Sequence, residues 1–303
     1  MNNYTIYFFE TMTNYDITLV TTHQDTSEIF TLIESIEKSN KTISALLVIV
    51  SQESPITYES KNSNFSVEFI NEKKMGLSKA RNIALKYLII NSISSKYIMF
   101  PDDDSSFDSL FFENFGSKLN SNQCFITPIY NDGTKELYFG KPTFNGKVIT
   151  PLDHQLIGSP NQIILYDKFK NQIAFDEKLG VGALYGSSED VDLFLKLFEM
   201  GERFIFTNDI YTYHPKKTSA YNDLALSKII LRFKNYSLGF GYIIFKYKLF
   251  SLIPEYLIRT FGAFILFFCR LNFKLSFAYL IQFFIRIKIL FMFLLNKNLY
   301  LKN

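Results

Sequence analysis

Short apolar runs alternate with helical patterns through the first half of the chain. Residues 17–22 (ITLVTT) predict a strand and residues 28–38 a helix. Residues 45–50 (ALLVIV) have no polar break, the pattern of a strand buried on both faces. Residues 66–70 predict a third strand, residues 77–90 a helix, and residues 97–100 a fourth strand. This alternation implies an α/β fold with helices on both faces of a largely parallel sheet, whose ligands bind beyond the carboxyl ends of the strands. Residues 125–130 and 162–166 predict further strands separated by a loop or hairpin, and residues 189–200 a helix stopped by Gly201. After His214-Pro215 the pattern changes to long apolar stretches. The expected boundary lies near residue 220, between an α/β domain (1–220) and a basic, apolar helical region (221–303).

Charge sharpens that division. The net charge of +3 hides 20 Lys+Arg against 28 Asp+Glu in residues 1–223, and 12 Lys+Arg against Glu255 alone in residues 224–303. An acidic domain followed by a basic, apolar tail predicts a catalyst held at an anionic membrane surface; a basic helical subdomain packed on the core is the alternative. The uncharged runs of the tail (260–269, 275–285 and 289–296) fall short of the roughly 20 residues that span a bilayer, and Arg286 and Lys288 interrupt its greasiest part. Helices lying in the headgroup region are therefore expected, with a tilted hairpin entering the bilayer as the second choice. Outside this segment acids outnumber basic residues, so no nucleic-acid partner is expected. Cys124 and Cys269 lack metal-ligand spacing, which favours a reducing compartment. The start, MNNYTIYFFE, lacks the basic and apolar regions of a secretory signal, so export is not expected.

The candidate chemistry begins at Asp102, Asp103 and Asp104, directly after the strand YIMF and Pro101. Adjacent carboxylates at a strand end repel one another unless a cation sits among them. In an extended segment Asp102 and Asp104 converge while Asp103 points away, and hard oxygen ligands suit Mg²⁺ or Mn²⁺ shared with a diphosphate. An EF-hand is excluded, because Phe107 stands where that loop needs Gly and a strand leads in. On the helix over 77–90, Arg81 falls on the stripe of Leu77, Ala84 and Leu88, and needs a carboxylate or a phosphate partner. On the helix from Glu189, Asp190 lies within about 40° of the inner-face Phe194, while Glu189 and Asp192 point outward as a solvated face would. Ser188 could cap this turn, and the helix dipole would keep Asp190 ionised, which makes it a candidate general base. GVGALYG (180–186) fails the dinucleotide spacing and predicts a flexible loop close to a substrate. His214 is a candidate metal or diphosphate ligand. His23 and His154 carry no comparable context.

Together GLSKARN (76–82), YIMFPDDD (97–104), FDEKLGVG followed by GSSEDVD (175–192) and His214-Pro215 resemble the family 2 glycosyltransferases with the GT-A fold. The bacterial group making capsular, O-antigen or other surface polysaccharides is the nearest, and the resemblance covers roughly residues 15–220. It implies a nucleotide-sugar donor, first a UDP-sugar, and Mn²⁺ or Mg²⁺. It assigns Asp102 to the nucleotide and ribose, Asp104 to the metal, with His214 beside it, and Asp190 to the base of an inverting transfer. Thr21, Gln52, Gly76, Arg81 and Asp103 join Asp102 as expected donor contacts. Ser51 stands where the family usually has an Asp that reads the nucleobase, leaving Gln52 as its substitute. The tail and the resemblance together imply a glycan or polyprenyl-linked acceptor at the cytoplasmic face of the cell membrane. A nucleotidyltransferase would need a Gly-rich basic loop where this chain has TTHQDTSE (21–28). A non-catalytic sugar-nucleotide sensor or scaffold would not need Asp190.

Overall fold

The computed structural model describes residues 14–24, 26–52, 56–215, 221 and 223–296. The segment read above for an export signal, Asp25 of the TTHQDTSE loop and the expected boundary near residue 220 lie outside them. The first half builds β1 (Asn14–His23), α1 (Thr26–Ser39), β2 (Ala45–Ser51), β3 (Phe65–Asn71), α2 (Leu77–Ile90) and β4 (Ser94–Met99). Short pieces follow: β5 (Ser106–Phe107), α3 (Phe111–Gly116), β6 (Cys124–Ile126), β7 (Ile129–Asn131), β8 (Val148–Ile149), β9 (Gln162–Leu165) and α4 (Tyr166–Phe169). Then come α5 (Glu189–Glu199), β10 (Phe204–Phe206), β11 (Thr212–His214) and three long helices, α6 (Leu226–Lys246), α7 (Ile253–Cys269) and α8 (Phe273–Leu295).

Eight strands form one sheet in the order β3-β2-β1-β4-β9-β6-β10-β8, and β5-β11-β7 form a second. The strands β3, β2, β1 and β4 are mutually parallel, while β9 runs antiparallel to β4 and β6. Every residue of β2 is buried, as its unbroken apolar run requires. The expected strand over 125–130 is two strands in different sheets, because Pro128 has no N–H for a ladder and Thr127 N bonds Asn161 O instead. The strand expected to reach residue 166 stops at Leu165, where Tyr166 begins α4.

The carboxy-terminal helices are not a free tail. Tyr242, Ile243, Ile244 and Phe245 of α6, with Ile289 and Phe293 of α8, belong to the main core. Helix α7 is different, burying only Tyr256 and Thr260. The stretches Phe250–Cys269 and Phe273–Leu295 are long and apolar enough to cross a membrane, by length and composition. Arg286, counted from the sequence as an obstacle to a span, turns inward and donates to the Tyr256 carbonyl. Its charge does not stand on an outer face.

Candidate active site

Strand order reverses at β1, which has β2 on one side and β4 on the other, so the chain leaves a crevice at their carboxyl ends. A cleft of about 900 Å³ opens there, within the roughly 300–1,000 Å³ of small-molecule sites. Thr21 and His23 enter it from β1, Gln52 from the end of β2, and Asp102, Asp103 and Asp104 from the segment after β4. Asp190 of α5 and His214 of β11 complete the set.

Asp102, Asp104 and His214 each present one ligand atom, all within 4.8 Å of one another. The carboxylates meet through a turn rather than through the alternation of an extended strand, with Ser105 N donating to Asp102 O at 3.1 Å. Asp103 stays outside this group but lines the same cleft; burial, then Asp104 and Asp102, push its carboxyl up to about 7. His214 Nε2 lies 3.0 Å from Asp104 and 3.7 Å from Asp102. Burial opposes a charged ring, but the bonds to Asp102 and Asp104 outweigh it and raise His214 to about 10. Tyr138 stacks on the ring at 4.1 Å and Nδ1 lies 3.3 Å from the Pro215 carbonyl, which leaves Nε2 for the carboxylates. Two carboxylates and one imidazole are a donor set that would fit a divalent cation such as Mn²⁺ or Mg²⁺.

Arg81 ties the two acidic clusters together. It is 1% exposed, donates to Ser159 Oγ at 2.7 Å and to Asp102 Oδ1 at 3.3 Å, and lies 3.6 Å from Glu189. The open choice between a carboxylate and a phosphate partner is thus filled by carboxylates. Arg81 Nε and Thr21 Oγ1 are buried without hydrogen-bond partners among the described residues, and both residues line the cleft. Such orphaned polar atoms fit a polar ligand in the cleft.

The start of α5 departs from the wheel in three ways. Glu189 and Asp192 are buried, not solvated. Glu189 meets Arg81, while Asp192 meets Lys246 at 2.6 Å and the Tyr247 hydroxyl at 3.0 Å, because α6 covers the face assigned to water. Ser188 does not cap the turn; its φ is +71° and its hydroxyl pairs with that of Ser187. The Val191 amide is instead bonded by the Asp190 carboxylate itself, at 2.7 Å. Nor does the helix dipole keep Asp190 ionised: burial, and then the neighbouring Glu189, raise it to about 8. Desolvation outweighs the first-turn field.

Gly76 does not line the cleft. It begins α2 against Gly182, where an added Cβ on residue 182 would come within 3.2 Å of the Gly76 Cα. The loop expected to be flexible is fastened there, by Leu77 N to Val181 O at 2.9 Å and Ser78 Oγ to Leu179 O at 2.6 Å. Gln52 accepts from Met75 N at 2.7 Å and so positions the segment leading into α2. Sequence reasoning missed His23, Tyr138 and Arg232, which line the cleft. Arg232 donates to Tyr236 at 3.2 Å, and an Arg–Tyr pair four apart on the first tail helix was the signal available. Helix α6 reaches this site closely: a Cβ on Gly239 would lie 2.3 Å from Ser187 Oγ and 2.4 Å from its carbonyl oxygen.

No protein-family model matches the chain, and no curated protein matches its sequence. Its fold is similar to that of Staphylococcus aureus TarS, at 18% identity and a TM-score of 0.50 over 75% of this chain. The match covers 43% of TarS, so the chain spans less than half the length of that protein. It is also similar to the mannosyltransferase PcManGT from Pyrobaculum calidifontis, solved with GDP-Man and Mn²⁺, at 12% identity and a TM-score of 0.50. That match covers 78% of this chain and 65% of PcManGT. At such identities the likeness is one of architecture, and the architecture is the GT-A fold: a mixed sheet flanked by helices, extended here by apolar carboxy-terminal helices.

Proposed function

We propose that the chain is an inverting, metal-dependent glycosyltransferase of the family 2 type, acting at the cytoplasmic face of a bacterial cell membrane in surface-polysaccharide synthesis. The observation that carries this reading is one cleft at the sheet's crevice holding the Asp102–Asp104–His214 group and Asp190, with Arg81 between them. The GDP-Man and Mn²⁺ bound by PcManGT support a nucleotide-sugar donor and such a metal.

A nucleotide-sugar, with UDP-sugar favoured, takes its base toward Gln52 and Thr21, its ribose toward Asp102 and Asp103, and its diphosphate toward Asp104 and His214. Mn²⁺ or Mg²⁺ held there supplies positive charge beside the leaving diphosphate. Arg81 holds Asp102 and Glu189 in place. Asp190 takes the proton of the acceptor hydroxyl as its oxygen bonds the anomeric carbon. The bond from that carbon to the diphosphate breaks with its electron pair leaving on the phosphate oxygen, so the anomeric centre inverts. Residues 1–220 carry this chemistry, and residues 221–303 bring it to an anionic membrane surface bearing a glycan or polyprenyl-linked acceptor.

Calorimetric titration of nucleoside diphosphates, with Mn²⁺ or with chelator, tests the donor half. One nucleotide should bind only with metal to the wild type and to Asp190→Asn, and not to Asp104→Ala; binding under neither condition overturns the reading. Asp190→Asn should bind donor yet transfer no sugar, and near wild-type turnover by that variant would remove Asp190 as the base.

A further inference from the structure

A second cavity, of about 540 Å³, shares Asp190, Ser188 and Tyr236 with the donor cleft. Most of its other walls come from the long carboxy-terminal helices, including Arg259 and Ala263 of α7 and Gln282 and Arg286 of α8. Asp190 therefore stands where two chambers meet, one carrying the candidate metal ligands and the other built by the tail.

The polar groups of this chamber are unevenly matched. Glu255 pairs with Arg259 at 3.2 Å and accepts from Gln155. Arg286 donates from Nε to Ser237 Oγ at 3.3 Å and from Nη1 to the Tyr256 carbonyl, and its guanidinium lies 4.3 Å over the Tyr256 ring. Among the described residues no carboxylate pairs with it. His154 Nδ1, at the same chamber, is buried and has no hydrogen-bond partner among the described residues. A desolvated guanidinium with neutral partners is costly until an anion meets it, and phosphate suits its planar fork. The helices that wall the chamber turn apolar side chains outward, among them Phe268, Phe277 and Phe284. Their two faces thus offer an anion site within and an apolar surface without.

We propose that this chamber is the acceptor site and that Arg286 holds the phosphoryl group of an acceptor lipid. The lipid's chain lies along the outer faces of α7 and α8, and its sugar hydroxyl reaches Asp190. The assignment as an acceptor site rests on the reading of Asp190 as the base, whereas the phosphoryl subsite stands on Arg286 and its surroundings.

The test uses the full chain in detergent, titrated with farnesyl phosphate, farnesol and inorganic phosphate, each with and without the nucleoside diphosphate and Mn²⁺. Farnesyl phosphate should bind at least tenfold more tightly than either of the others, and should stay bound when the nucleotide is present. Arg286→Gln should weaken it at least tenfold, Arg286→Lys should restore much of the binding, and Ala263→Trp should weaken it by filling the chamber. All three variants should bind nucleotide with Mn²⁺ as the wild type does. Farnesyl phosphate binding unchanged in both Arg286→Gln and Ala263→Trp, or displaced by nucleotide, overturns the proposal. Equal affinity for inorganic phosphate makes the site one for a free anion and overturns the lipid. Nucleotide binding that fails while farnesyl phosphate still depends on Arg286 refutes the donor reading and leaves the phosphoryl subsite standing.

Discussion

The Asp190 carboxylate bonds the Val191 amide, yet burial and Glu189 hold it at about 8. A base must lose its own proton before it can take one from a hydroxyl, so the raised value has a kinetic sign. The kcat/KM of the wild type should rise with pH through a limb far above the ordinary carboxylate range, falling about tenfold per unit below it. A pH–rate profile with metal in excess checks this, and a limb at pH 5 or lower would refute the assignment. Arg81 acts on the same balance. Its guanidinium serves Asp102 on one side and Glu189 on the other. Arg81→Met should therefore lower the rate sharply while raising the limb further, because the Arg81 charge also draws Asp190 toward its ionised form.

Between elements, a buried electrostatic joint fastens α5 to α6. Lys246 is buried between Asp176 at 2.8 Å and Asp192 at 2.6 Å. Burial pushes Asp176 up, but the Lys246 bond and charge outweigh it and hold it below its usual value. For Asp192 burial wins and the carboxyl is raised. Lys246→Met leaves both acids without their cation and should cost about 3–5 kcal/mol at neutral pH. Denaturant unfolding should show a smaller loss at low pH, where Asp192 takes a proton and no longer needs the ammonium. This joint also marks where sequence reading stopped working. Helix α2 was legible to its end residues, because a single buried stripe with Ala84 and Leu88 fixes its orientation. The half-turn of α5 bearing Asp192 was not, because its cover is a helix more than thirty residues later. The clustering of Asp102, Asp104 and His214 was legible at the two carboxylates, which follow a strand, and less so at His214, whose approach depends on a second sheet. Arg286 read as an obstacle because a one-dimensional pattern does not tell an inward charge from an outward one.

At the scale of the whole molecule, the acidic first part and the basic last part are not separable bodies. Helix α6 is shared: its Tyr242 and Phe245 pack into the main core and against Phe293 of α8. Cutting the tail away would remove core side chains as well as any membrane contact, so membrane attachment is better tested on its surface. Replacing Phe268, Phe277 and Phe284 together by Ser alters side chains that are more than half exposed. The triple variant should keep its melting temperature in detergent, and should lose most of its co-sedimentation with vesicles containing anionic lipid. Sedimentation equal to wild type would place the attachment elsewhere. A last consequence follows from Gly239. With no room for a Cβ against Ser187, that position fastens α6 to the residues leading into Asp190. Over evolutionary time such a point behaves as a ratchet. Descendants can exchange the residues lining the cleft and the outer helix faces freely, but any that keep this architecture should be found to have inherited glycine at 239.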